Sequence, residues 1–310
     1  MDKEIFIDSK VSEVMVNSEI SEVVVNSEVS EVMANSEVSK VKVDPEVSKI
    51  KVDSEVSKVK VDSEVSEVMT SSQHNLPLVC LTEDISKLHL QYEQDIEIKY
   101  RIKIMVLELK CNKIRRFRND GNSFYRAFAF AWFEQLTDSS RDQTLRHSAI
   151  NSLAAINSLL SSAYQSFVYR DVHDIVEKQV KAIANGEYDE NMLLTIFQTD
   201  EISNYIVYYF RLIAAAYLKL HRREYESLLE FNIGMDQFCT KFVEVMDIEA
   251  DKVDDLYAIA LTKALKVPVE IGYLNGSDMM ELVRKFYPHN GSVLKPLTLL
   301  YHSGHYDILY

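Results

Sequence analysis

The sequence predicts an α+β domain, a small β-sheet packed by helices, preceded by a low-complexity repeat arm. Three observations predict it. Residues 8–70 repeat with a period of nine. From about Asp142 to Lys266 the apolar residues recur at helical spacing. From Val267 onward the texture switches to short alternating runs rich in β-branched residues. Helices in the middle and strands late are the layout of an α+β domain.

The arm comes first. Its unit is Asn/Asp, Ser, Glu, Val, Ser, Glu/Lys, Val and two further residues, restarting at Asn17, Asn26, Asn35, Asp44, Asp53 and Asp62. At roughly 100° per residue, nine residues rotate a helix by half a turn, so the valines change face at every repeat. Nine is also odd, so an alternating strand would change face too. No glycine serves the turns of a β-roll. Residues 1–78 are therefore expected to be a disordered or loosely helical repeat region and linker, ending at the polar run and Pro77 of "SSQHNLPLVC". Residues 79–310 form the expected folded domain.

Within it, residues 85–117 read as mostly helical, with alternating charges on the outer face. Asp120 to Asn122 break that helix, and "SFYRAFAFAWFEQL" (123–136) reads as a helix apolar nearly all round, hence buried. Trp132 and the run "NYIVYYF" read as packing. "VPVEIGYL" (267–274) is a strand, and "KPLTLLYHSGHYDILY" (295–310) is a hairpin turning at "HSG".

The formal net charge of −14 argues against a nucleic-acid partner. The N-terminal "MDKEIFIDSK" carries acids where a targeting peptide needs basic residues. The longest apolar stretch, 205–218, is interrupted by Arg211 and too short to span a bilayer. Cys80, Cys111 and Cys239 show neither CxxC nor zinc spacing, which fits a reducing compartment. The cytoplasm is the expected location, with the nucleus left open.

Two stretches could carry chemistry. In "GHYDILY" (304–310), residues two apart on a strand share a face, so His305 and Asp307 project together and Tyr306 opposes them. A carboxylate beside an imidazole fixes its tautomer and supports its charged form. In "DGNSFYRAFAF" (120–130), Ser123 sits at a helix N-terminus, where free N–H groups and the dipole favour an anion. Taken alone, Ser123 reads as an N-cap, Asp120 as a turn residue, and His305 with Asp307 as an ordinary bonded pair. His289 and His302 are expected in loops facing solvent. There is no G-x-S-x-G elbow around Ser123.

These blocks bear a family resemblance. "RRFRNDGNSFYRAFAFAWFEQL" (115–136) resembles the nucleophile block of the ovarian-tumour (OTU) deubiquitinases, otubain branch, whose motif is Arg-x-Asp-Gly-Asn-Cys-Phe-Tyr-Arg-Ala-Phe. "YAIALTKALKVPVEIGYL" (257–274) and "LTLLYHSGHYDILY" (297–310) resemble that branch's helix–strand segment and its "LLYRPGHYDILY" block. The resemblance implies a papain-like cysteine-protease fold. It implies cleavage of the isopeptide bond after ubiquitin's C-terminal glycine, without metal or cofactor. It puts Ser123 in the place of the catalytic cysteine, His305 as general base, Asp307 as the acid that orients it, and Asp120 in the oxyanion-hole loop. The implied partners are ubiquitin or polyubiquitin chains and, in a non-catalytic reading, ubiquitin-conjugating enzymes.

The departure is at the reacting atom. A thiol titrates near about 8.5 and is readily held as a thiolate, whereas a serine hydroxyl is far less acidic. Three accounts of Ser123 stand: a pseudoenzyme that binds without cleaving, an engineered trap, or a weak serine hydrolase.

Overall fold

The computed structural model describes residues 76–91, 98–137, 143–229, 233–246, 254–274, 283–287, 294–302 and 304–310. The repeat arm, with the disorder expected for it, and His289 lie outside the described residues.

The main elements in chain order are β1 (Val79–Asp84), α1 (Ile98–Glu108), β2 (Lys113–Phe117), α2 (Ser123–Thr137), α3 (Gln143–Ala163), α4 (Ser166–Ala184), α5 (Glu190–Gln198), α6 (Asp200–Leu220), α7 (Asp254–Leu265), β3 (Val269–Tyr273), β4 (Val283–Tyr287), β5 (Leu297–His302) and β6 (His305–Leu309). The strands form one six-stranded sheet in the order β1-β2-β6-β5-β3-β4. Only β3 and β5 pair in parallel; the other neighbours are antiparallel. The strand at 267–274 and the terminal hairpin thus form as their alternation requires, and β5 pairs His302 with His305 and Leu300 with Asp307.

The sheet is buried on both faces because its central strands carry apolar residues at odd and even positions. On one face Phe117, Ile271, Leu299, Tyr306 and Ile308 meet the helices. On the other, Ile114, Leu274, Leu300 and Leu309 meet α1 through Ile104 and Leu107. Helix α2 is buried from Ser123 through Phe133, as its all-round apolar sequence demands. It lies between β2, β5 and β6 on one side and α4, α5 and α6 on the other. Helix α6 in turn packs against α2, α3, α4, α5 and α7, so it is the axis of the helical layer.

The 85–117 segment differs from its expected helix. Residues 98–108 are helical, but Lys113–Phe117 form β2, and Val79–Asp84 form an edge strand beside it. The alternating charges of "KIRRF" resemble a solvated helix face, yet Arg115 is 1% exposed. Its guanidinium bonds Glu190 at 2.8 Å, the Tyr310 hydroxyl at 3.0 Å and the Cys80 carbonyl at 3.0 Å, and lies 4.5 Å from the centre of the Phe130 ring. A buried arginine with a full set of acceptors is compatible with a central strand.

Candidate functional site

Three elements converge at the N-terminus of α2. The chain leaves β2, turns through residues 118–122 and enters the helix at Ser123. The turn needs a left-handed backbone at Gly121, whose φ is 71°, a conformation that glycine adopts without a Cβ penalty. Asn122 is the residue whose carbonyl accepts the first helical bond, from the Arg126 N–H at 3.0 Å. Ser123 is therefore already inside the helix and does not cap it. Its Oγ, 3% exposed as a residue, accepts a hydrogen bond from the Tyr306 N–H at 3.1 Å. Tyr306 follows His305, so residue 123 and the start of β6 are held in direct contact.

The turn is fastened from behind by two buried arginines that the sequence reading did not single out as functional. Arg126, on the first turn of α2, holds both oxygens of Asp120 at 2.7 and 2.9 Å and also bonds Ser203 and Asn204. Asp120 in turn accepts from the Asn122 N–H at 3.0 Å. Asp120 is thus more than a turn former: its carboxylate ties the loop to the helix. Arg211, from the middle of α6, donates to the Gly121 carbonyl and the Asn122 side chain, both at 2.8 Å, and to the Val243 carbonyl at 3.1 Å. It also lies 4.4 Å from the centre of the Tyr125 ring. The signal for Arg211 was visible, a single charge inside an apolar helix; its target was not.

On β6, His305 and Asp307 share a face as the period-two pattern requires. His305 Nε2 and Asp307 Oδ1 are 2.9 Å apart, and both residues are fully buried. Among the described residues, the other ring nitrogen, His305 Nδ1, has no hydrogen-bond partner. An imidazole that donates from Nε2 to a carboxylate keeps its lone pair on Nδ1, where it can take a proton.

His302 departs from the expected solvent-facing loop. It closes β5, is 0% exposed, and its Nε2 lies 2.9 Å from Asp307 Oδ2. Strand β5 runs one residue further than "HSG" suggests, which pairs His302 with His305 across the hairpin and sinks it. Asp307 therefore carries an imidazole on each oxygen, and Oδ1 also accepts from the Phe117 N–H at 3.0 Å. Burial alone would raise this carboxyl; attraction to His305 and the two imidazole hydrogen bonds overcome it and hold Asp307 well below the usual carboxylate range. Burial lowers the pKa of His302 despite its bond to Asp307.

Among the described residues, His302, His305 and Asp307 are a group whose donor atoms come within 4.8 Å of one another and so could be considered for a metal. Each imidazole, however, addresses a different carboxylate oxygen at hydrogen-bond distance. The geometry is that of a hydrogen-bond array around a carboxylate.

None of the three cysteine thiols is activated. Burial, with a contribution from the Asp307 charge, pushes the Cys80 thiol up to about 11. Burial pushes Cys239 up to about 12 and raises Cys111 as well. Reactive cysteines need the opposite shift. The cleft lined by Glu134, Tyr188, Glu190, Lys295 and Tyr310 includes neither Ser123 nor His305.

Comparison with known proteins converges on one family. A family model described as Peptidase C65 Otubain matches residues 71–310. Ubiquitin thioesterase OTUB1 of Homo sapiens is 34% identical over 238 residues, 76% of this chain and 83% of that protein. The ovarian tumor domain-containing deubiquitinating enzyme 1 of Arabidopsis thaliana is 30% identical over 254 residues, 76% of this chain and 81% of that protein. A solved ceOTUB1 complex with ubiquitin aldehyde and UBC13~Ub superposes with a TM-score of 0.68 at 27% identity, covering 79% of this chain and 97% of that one.

Two outcomes follow from this geometry. Arg211→Met removes the donor from the Gly121 carbonyl and the Asn122 side chain, and chemical denaturation should show a loss of about 2–4 kcal/mol. An unchanged midpoint would mean that the clamp contributes nothing. The second concerns pH. His302 is buried with a lowered pKa. As pH falls below roughly 6.5, the unfolded chain binds a proton that the folded chain does not, so stability drops. Denaturation at several pH values should show His302→Gln gaining relative to the parent chain as pH falls below that point. A constant difference would contradict a buried neutral imidazole.

Proposed function

The chain belongs to the otubain peptidase family, and we propose that it is a ubiquitin-binding deubiquitinase scaffold whose cleavage step is disabled at residue 123. The observation that carries this is a fastened turn and a bonded imidazole–carboxylate pair, with a hydroxyl at the position where the resemblance puts the family's thiol. Ser123 Oγ lies against β6, His305 is bonded to Asp307, and the turn of Asp120 is fastened by Arg126 and Arg211. The relatives are named ubiquitin thioesterases, and the solved neighbours contain ubiquitin aldehyde and ubiquitin-charged UBC13 or UBCH5B. We infer the same classes of partner here: ubiquitin or its chains, and ubiquitin-conjugating enzymes.

In the reaction this geometry suits, residue 123 attacks the carbonyl after ubiquitin's last glycine. His305 Nδ1 accepts the nucleophile's proton and returns it to the leaving amine. Asp307 orients the ring from the Nε2 side. N–H groups of the turn and the first turn of α2 offer donors to the developing oxyanion. With a thiol, the imidazole and nucleophile can exist as an ion pair before attack. A hydroxyl must lose its proton during attack, with spacing suited to a larger sulfur atom. A loss on the order of 10⁴ to 10⁶ in rate is the scale for removing a member of such a triad. Binding of ubiquitin involves surface and tail contacts that do not need the sulfur.

The alternative, a purely non-catalytic binder of ubiquitin or of ubiquitin-conjugating enzymes, is favoured by the absence of any activated thiol among the described cysteines. The domain boundary we infer is residues 78/79, supported by the start of the family match at residue 71 and of β1 at Val79. We infer a cytoplasmic location, with the nucleus also open, supported by three unpaired cysteines. Among the described residues no helix is long and apolar enough to cross a membrane.

Ser123→Cys tests the proposal. The variant should cleave ubiquitin chains and label with ubiquitin bearing a C-terminal electrophile, at rates higher by about 10⁴ or more than the parent. A folded Ser123→Cys protein that is inert but binds ubiquitin would leave the non-catalytic reading standing; one that neither reacts nor binds would overturn both.

A further inference from the structure

We propose that His302 is a positioning residue for His305, acting through the carboxylate that the two imidazoles share. This rests on the reading of Ser123, His305 and Asp307 as a triad, but its first test needs no activity.

A carboxylate has two oxygens and turns about a soft sp³–sp² torsion, so one hydrogen bond does not give it a single orientation. At Asp307, Oδ1 is fixed by His305 Nε2 and the Phe117 N–H, and Oδ2 is fixed by His302 Nε2. The carboxylate is fully buried, so without His302 the second oxygen would be a charged acceptor with no water to replace its donor. The hairpin makes the arrangement possible. His302 and His305 are partners across β5 and β6, and the alternation puts both on the face of Asp307, with ring centroids 5.4 Å apart.

The surroundings favour a neutral donor at this place. The charged and titratable groups that bear on His302 are Asp307 and His305 of β6 and Arg116 of β2, which pairs with Glu83 of β1; Cys80 of β1 also feels the Asp307 charge. Burial and the Arg116 charge both disfavour a protonated His302. A neutral His302 donates one N–H without adding a second positive charge beside Asp307. The carboxylate's charge stays directed at His305, and the His305 proton stays on Nε2. Among the described residues, neither Nδ1 atom has a hydrogen-bond partner, the pattern expected of two Nε2–H tautomers around one carboxylate.

The test is imidazole ¹⁵N NMR on the chain as given, on His302→Gln, which keeps an N–H donor, and on His302→Met, which fills the space without one. At mildly alkaline pH the parent should show both His302 and His305 protonated on Nε2. His302→Gln should keep His305 in that tautomer, and His302→Met should show a mixture. The second readout uses the Ser123→Cys background and ubiquitin with a C-terminal electrophile. There His302→Met should lower the labelling rate roughly tenfold to a hundredfold at unchanged ubiquitin affinity, the scale for losing an outer partner of a functional histidine. His302→Gln should restore most of it. A proton on Nδ1 of His302 in the parent would overturn the proposal at once, whatever the variants do. So would a folded His302→Met with an unaltered His305 tautomer. If Ser123→Cys does not react at all, the triad reading fails, and the tautomers alone still decide whether His302 positions His305.

Discussion

The structure depends on one buried negative charge. Asp307 is fully buried near the centre of the sheet, and a carboxylate there is tolerable only if its oxygens are bonded. Its donors come from three strands: the Phe117 N–H of β2, His302 of β5 and His305 of β6. Satisfying this charge therefore fixes the mutual placement of three neighbouring strands and the orientation of His305 together. That couples fold and site: the bonds that make the carboxylate affordable are those that aim an imidazole nitrogen away from the acid.

The Ser123 side of the site follows the same logic with the signs reversed. Two guanidiniums, Arg126 and Arg211, are buried behind the 120–122 turn and bonded to its carboxylate, carbonyl and amide groups. They come from α2 and α6, the two helices at the centre of the helical layer. Sheet and helices thus each present one rigid half of the site, and the Tyr306 N–H to Ser123 Oγ bond is where the halves meet. On the proposed reading of Ser123 as the nucleophile position, a turn held this firmly from both sides keeps its geometry with oxygen in place of sulfur. On that reading the Ser123 hydroxyl lacks the acidity a thiol would bring to the same place.

Much of this was legible from residue patterns. The terminal hairpin, the common face of His305 and Asp307, and the buried helix after Ser123 follow from period-two alternation and an all-round apolar run. Three features were hidden for a shared reason: polar residues inside the core look like surface residues until their partners are known. Arg115 and Arg116 made β2 look like a solvated helix, because Glu190, Tyr310 and the Cys80 carbonyl that receive Arg115 are distant in sequence. His302 looked like a turn residue because the strand end differs by one position from the polar "HSG" signal, and that position decides whether it faces water or Asp307. Ser123 looked like a cap because its true contact, the Tyr306 N–H, lies 183 residues away in the chain.

Under the proposed function, the candidate site is organised to receive ubiquitin with a hydroxyl at residue 123. The most direct measurement is a calorimetric titration of the chain as given, Ser123 unchanged, with ubiquitin and with ubiquitin lacking its C-terminal diglycine. Saturable one-to-one binding that weakens clearly when the diglycine is removed is the predicted result. No saturable binding, or binding indifferent to the diglycine, would contradict it.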